Sequence, residues 1–323
     1  MSGLFFETRP RYVGVHISGQ SIKVVELSRM GNTFELHAYA IEPLSAGYVD
    51  DLTSTGAKSV AQVLRRALGN TGVMARDAVT ALPDTQVICK TLEVETGLSE
   101  NELELYVRLE AEQYVPYALE EMALDYDVQD VAPRHSDQVE IVLVACRREV
   151  LEWHQEVLLS AGLKPHVIDV QALALVRGLD WMLRSVTGSS AREAVAVADF
   201  SPPLARLSIV SQSRVIYCHE WLFERGSLGD DAFKSAAVEH LGREIGLSAE
   251  SAVGAKVGLI VLAGAAAGST GLSQWVEARL GIPTRVADPF AAMKLNPALA
   301  PEALFCDAPV LLTACGLALR GFD

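Results

Sequence analysis

The chain has 323 residues, half of them hydrophobic and 21% charged, which is enough to bury a sizeable core and by length corresponds to about two domains. A formal net charge of −14 repels phosphodiester backbones, and no Lys/Arg cluster with interleaved aromatics offsets it locally, so nucleic acid is excluded as a partner. Cys89, Cys146, Cys218, Cys306 and Cys315 are widely spaced and mostly inside apolar runs, which excludes a disulfide framework or a thiolate metal site and fits a reducing compartment. No window reaches the roughly 18–20 uninterrupted apolar residues of a membrane span and no basic-then-apolar leader opens the sequence, so the expected location is the cytoplasm.

In chain order, residues 12–41 alternate as a three-strand meander with turns at Ser18–Gly19–Gln20 and Met30–Gly31–Asn32. A helix over 57–70 and a strand over 78–83 follow. The pattern then changes: a strand at 87–94, a helix at 99–115, strands at 122–128 and 139–146, and a helix at 148–162 closed by Gly162. This βαββα unit reads as a compact subdomain. Ser99 and Glu102 form a capping box at the start of its first helix, Pro116 ends that helix, and Leu103, Tyr106, Val107, Ala111 and Tyr114 recur at helical spacing. Tyr106, Tyr114 and Tyr117 read first as packing, and the neighbouring acids as a solvated helix face.

A strand at 164–170 and a helix at 171–186 lead to the small polar joint 185–193. Beyond it the opening pattern repeats at 194–200, 204–210 and 214–222. His16-Ile17-Ser18 aligns with Asp199-Phe200-Ser201, and seven positions on, Lys23 aligns with Arg206. The chain therefore reads as internally duplicated. Two lobes that each open with strand–turn–strand are what the actin-like, ribonuclease H-like ATPase fold requires. There, consecutive N–H groups of facing turns cradle phosphates and acids hold magnesium. The expected class is α/β, an actin-like fold of two duplicated lobes with an inserted βαββα subdomain.

The segments 13–29, 97–128, 142–152, 166–175, 283–297 and 307–323, in that order, resemble the PilM family of type IV pilus assembly. The resemblance implies a first lobe at 1–83 and 165–190, an inserted subdomain at 84–164, and a second lobe at 191–323. It implies a scaffold at the cytoplasmic side of the inner membrane that grips the N-terminal cytoplasmic peptide of PilN between first lobe and insert, touching the membrane only through PilN. Other platform proteins, assembly ATPases and self-association are further partner expectations.

The sequence also departs from that family. His16 stands where an Asp is usual, and imidazole does not support Mg²⁺ as a carboxylate does. Ser201-Pro202-Pro203 replaces a Gly/Thr-rich turn and lacks two N–H donors. The adenosine turn retains Gly264 but has Ala265 and Ala266, and the upper part of the second lobe is short around 224–256.

Ser18, Gln20, Ser21, Lys23, Asp199 and Gly264 are thus the candidate vestigial nucleotide contacts, with no catalytic or metal-binding residue, weak or absent Mg-ATP binding and no turnover. Plainer readings stand beside these: His16 as a structural strand-end histidine, Lys23 and Arg206 as solvated strand charges, Asp199 as a turn cap. The rival functions are an active actin-like ATPase or small-molecule kinase, and a filament former tethered by a C-terminal amphipathic helix. No HExxH, GxSxG or CxxC motif supports other chemistry.

Overall fold

Strands β1 (Arg11–Ile17), β2 (Ser21–Met30) and β3 (Thr33–Pro43) form the antiparallel meander at the head of the chain. In the computed structural model, residues 10–45, 47–131, 138–187, 193–223, 231–250 and 255–323 are described. Helix α1 (Ser54–Thr71) returns the chain to β4 (Asp77–Leu82), which lies parallel to β1. The insert follows: β5 (Val87–Glu95), α2 (Glu100–Tyr114), β6 (Met122–Val131), β7 (Gln138–Arg147) and α3 (Arg148–Ala161). Then β8 (Lys164–Val170) pairs with β4, and with β14 (Lys294–Leu295) the first-lobe sheet reads β14-β3-β2-β1-β4-β8.

The second lobe repeats the plan. β9 (Ala194–Ser201), β10 (Leu204–Ser211) and β11 (Arg214–Leu222) form a meander. Helix α5 (Asp231–Glu250), β12 (Val257–Ala263), α6 (Leu272–Leu280) and β13 (Thr284–Val286) complete a sheet of order β11-β10-β9-β12-β13. That is the order β3-β2-β1-β4-β8 over again. The duplication extends to register: His16 lies opposite Lys23 in the first hairpin, and Asp199 opposite Arg206 in the second. Of the stretch read as a shortened 224–256, the described part is helix α5 and residues 255–256; 224–230 and 251–254 lie outside the described residues, as does most of the joint 185–193.

Within the insert, the capping box is present, with the Ser99 hydroxyl and backbone N–H both donating to the Glu102 carboxylate. Its three-stranded sheet β5-β7-β6 buries Ile141, Leu143 and Ala145 against Val107 and Ala111 of α2. Helix α3 packs elsewhere: its Trp153, Val157, Leu158 and Ala161 share a cluster with Val60, Leu64 and Ala67 of α1. Its ridge of apolar positions faces the first-lobe sheet, whose Val13, Val15 and Ala78 belong to the same cluster. The insert's own core is thus β5–α2–β6–β7, tied to the lobe where Val87, Ala123 and Cys146 meet Leu82, Leu52 and Ile168.

Helices α4 (Gln171–Thr187) and α8 (Leu312–Arg320), the latter following α7 (Pro301–Asp307), join the lobes by exchange. From α4, Val176, Leu179 and Met182 pack on Val195, Val197 and Val261 of the second sheet. From α8, Ala314, Cys315 and Ala318 pack on Val25, Leu27 and Leu36 of the first. The two helices cross where Gly178 and Gly316 meet; a Cβ added at Gly178 would lie 2.5 Å from the Leu312 carbonyl oxygen, and one at Gly316 would overlap that of Ala174. Among the described residues no single helix is long and apolar enough to cross a membrane.

One consequence of the first-lobe core is an acid dependence of stability. His154 is buried, its Nδ1 has no hydrogen-bond partner among the described residues, and burial pushes its pKa from 6.5 down to about 4. The unfolded chain therefore binds more protons than the native one between those values, so stability is full above pH 6.5 and falls as the pH drops towards 4. Denaturant titration across that window should show about 3 kcal/mol lost to this group. His154→Leu should flatten the profile by that amount; an unchanged slope would remove His154 as its source.

Candidate functional site: a cleft lined by two hairpins

The β1–β2 turn is held closed by its own polar groups. Ser18 donates from its backbone N–H and from Oγ to the Ser21 carbonyl, at 3.0 and 2.9 Å, and the Ser21 N–H donates back to Ser18 Oγ at 3.3 Å. The Gln20 carbonyl accepts from Leu44 N–H at 2.8 Å. Of the donors expected to face a phosphate, those of Ser18 and the Ser21 N–H are already engaged within the turn. Gln20 is half-buried and Gly19 exposed.

Beneath this turn lie two buried basic side chains. His16 is 7% exposed and neither ring nitrogen has a partner among the described residues. Burial, then the charges of Lys23 and Arg206, hold its pKa well below 6.5, so the ring is neutral. Lys23 is 8% exposed and makes no hydrogen bond or ion pair among the described residues. Its pKa is lowered by burial, against which the charge of Asp199 acts in the opposite direction. The structure therefore brings Lys23 of the first hairpin and Asp199 of the second within electrostatic reach across the cleft.

Asp199 accepts a 2.6 Å hydrogen bond from Ser201 Oγ. The turn after it contains a cis Pro202–Pro203 bond and has no N–H at either proline, while the Pro203 carbonyl accepts from Phe223 N–H at 2.8 Å. Gly264 sits against this strand end with φ of 86°; a Cβ there would overlap Asp199 Oδ1 and come 2.7 Å from the Phe200 carbonyl. Asp199 and Gly264 are thus neighbours, and only glycine fits the second position.

Arg206 shows what the sequence reading missed. Its guanidinium bonds Asp84 Oδ2 at 3.1 Å across the cleft and also grips Glu220, its cross-strand partner on β11. Asp84 in turn accepts the Ala172 N–H at the start of α4, at 2.8 Å. Burial alone draws the Arg206 pKa down, but Glu220 and Asp84 outweigh it and the net direction is upward; Asp84 is raised by burial despite Arg206. A further pair, Arg214 with Glu140, joins the second lobe to the insert. Neither Lys23 nor Arg206 is a solvated strand charge, being 8% and, in its side chain, 20% exposed.

A separate groove runs along the junction of first lobe and insert. It is a cavity of about 230 Å³ lined by Leu151 and Gln155 of α3 and by Pro165–Ile168 of β8. Among the described residues β8 is the last strand of its sheet and pairs only with β4, leaving its outer edge without a strand partner. No group of three or more His, Cys, Asp or Glu residues that could hold a metal occurs among the described residues.

Two lobes of repeated topology, each opening on a hairpin at a shared cleft, define an actin-like protein. A solved neighbour, ethanolamine utilization protein EutJ from Carboxydothermus hydrogenoformans, shares that architecture with a TM-score of 0.51 at 14% identity, over 96% of this chain and 89% of its own. The chain matches the family model for type IV pilus assembly protein PilM over residues 14–231 and 231–322, and it belongs to that family. Its fold is also similar to a structure described as the PilM-PilN type IV pilus biogenesis complex, with a TM-score of 0.76, 24% identity, and coverage of 98% of this chain and 99% of that one.

Proposed function

We propose that this protein is a non-catalytic cytoplasmic scaffold of the type IV pilus inner-membrane platform, serving pilus-driven twitching motility, that binds the N-terminal cytoplasmic peptide of PilN and does so without Mg-ATP. The observation that carries the peptide reading is the junction groove. An extended segment added to the open edge of β8 gains main-chain hydrogen bonds, and Leu151 and Ile168 offer it apolar surface alongside. Family membership supports the pilus role, and the solved PilM-PilN complex supports PilN as the partner.

The residues of the interlobe cleft do not fit a magnesium-loaded triphosphate. Where a metal would need hard oxygens, the cleft offers a neutral imidazole at His16 and the side chain of Lys23 beside Asp199. Where phosphates would need free N–H groups, it offers Pro202, Pro203 and a first turn closed on itself. Arg206 with Asp84 and Glu220 ties the lobes with the chain's own charges.

Titrating the nucleotide-free protein with a synthetic peptide copying the N-terminus of its organism's PilN should give saturable heat. Leu151→Glu, a half-buried groove position, should weaken it at least tenfold, about 1.4 kcal/mol. Absence of binding by folded wild-type protein, or an unaffected variant, would contradict the reading.

A further inference from the structure

The ends of four neighbouring strands of the first lobe each carry a cation. Arg11 opens β1 opposite Ser28 of β2, and Arg29 is the next residue of β2. Arg76 precedes β4, two residues before the Ala78 that pairs with Val13, and so stands level with Arg11. Lys164 opens β8 opposite Asp77, and its N–H donates to the Arg76 carbonyl at 2.7 Å. At ordinary strand spacing the row is about 15 Å long. A fifth cation, Arg65 of α1, donates to the Ser160 carbonyl in the last turn of α3, which leads into Lys164.

The carboxylates in contact with this row are two, and both are engaged. Glu26 is 1% exposed, and its Oε1 accepts the Met74 and Ala75 N–H groups at 3.2 and 2.8 Å and pairs with Arg11. Asp77 lies 3.6 Å from Lys164. Arg29 and Arg76 are exposed and have no carboxylate partner among the described residues. In a chain of net charge −14 this end therefore carries a local positive excess, assembled by the fold from segments far apart in the sequence. Two apolar side chains stand among the cations. Met74, in the turn from α1 to β4, is 74% exposed on a backbone pinned by Glu26, and Leu159, in the last turn of α3, is 61% exposed. Leu159 continues the α3 row of Leu151 and Gln155 that walls the peptide groove, so the groove opens at this end.

We propose that this end of the first lobe rests directly on an anionic lipid surface, with Arg11, Arg29, Arg76 and Lys164 among the headgroups and Met74 and Leu159 entering between them. Charge complementarity is the first argument: each cation near an anionic bilayer is attracted to it, and screening over about 8–10 Å lets a local row act although the whole chain is negative. Exposed apolar side chains beside cations add burial at the headgroup boundary. The second argument rests on the peptide reading: the groove that opens here is assigned to the cytoplasmic end of a membrane protein, so its mouth faces the bilayer. The lipid contact adds to the attachment through PilN, since two weak attachments on one molecule reinforce each other.

Co-sedimentation of the full chain with vesicles that contain no PilN tests this. Wild type should bind vesicles of phosphatidylglycerol mixed with phosphatidylcholine, bind pure phosphatidylcholine about tenfold or more weakly, and be released as salt is raised. Arg29→Glu with Arg76→Glu should lower binding to the mixed vesicles by about tenfold or more, with wild-type circular dichroism and an unchanged affinity for the PilN peptide. Met74→Ser should weaken vesicle binding severalfold, and serves if the double variant misfolds. A wild type that ignores the mixed vesicles, equal binding to both kinds, or variants that bind as wild type does would each overturn the proposal. So would binding to heparin as tight as to the vesicles, which would give the row to an acidic polymer. Because PilN is absent, failure here leaves the peptide titration standing, and failure of that titration leaves the vesicle result to be read by itself.

Discussion

Replacing Lys23 with methionine is expected to stabilise the protein by about 1–3 kcal/mol in denaturant unfolding at neutral pH. Lys23 is almost fully buried, has no hydrogen bond or ion pair among the described residues, and burial lowers its pKa from 10.5. A folded-state pKa below the unfolded value means that the native state disfavours the proton the unfolded chain keeps. That is a stability cost wherever the unfolded lysine is charged. Methionine has a similar length, fills the same space and removes the cost. The sign gives a second readout: as the pH rises towards 10.5 the cost to wild type disappears, so the gap between wild type and variant should narrow. Asp199→Asn, which removes the charge that opposes the shift, should act the other way and destabilise. A less stable Lys23→Met variant would show that Lys23 is held by an interaction strong enough to compensate its burial.

Gly316→Ala is expected to be among the most damaging small substitutions in the chain. The added methyl would overlap the Ala174 carbonyl oxygen and lie 2.8 Å from its carbon, and 2.9 Å from the Gly178 nitrogen. All of these are backbone atoms in α4, which no rotamer change can move aside. Relief requires the helices to part, and α4 and α8 are the elements that each lobe packs against the other's side of the molecule. The cost should reach on the order of 3 kcal/mol or more, at the upper end for overpacked sites. Thermal unfolding would show it as a large fall in Tm with both lobes melting together. A variant within about 1 kcal/mol of wild type would mean that the crossing has slack.

Much of this architecture is legible in the sequence because local rules and the global plan agree. Alternation along 12–41 and 194–222 gives both meanders, and the one-to-one alignment of His16 with Asp199 and of Lys23 with Arg206 survives as strand register. The capping box at Ser99 and the left-handed Gly162 mark helix ends through backbone chemistry that needs no tertiary information.

What escaped depends on residues far apart in the chain. Asp84 and Arg206 are separated by 122 positions, and nothing about either predicts the other. The Glu220 contact was within reach, since two charges at facing positions of adjacent strands are neighbours once the hairpin is drawn. Ser18, Gln20 and Ser21 could be named as turn residues, but that Ser18 and Ser21 spend donors on each other is a matter of rotamer. The packing of α3 on α1 was hidden because an amphipathic helix states that it has an apolar face, and not which neighbour covers it.

In the proposed function Arg206 is held by Asp84 and Glu220, Lys23 stands buried beside a neutral His16, and the partner peptide binds without a nucleotide. Calorimetric titration of the folded protein with Mg-ATP tests this most directly. The expected result is no saturable heat at millimolar nucleotide, with the affinity for the PilN peptide unchanged when Mg-ATP is present. Saturable, magnesium-dependent binding in the micromolar range, lost on Asp199→Asn, would contradict it.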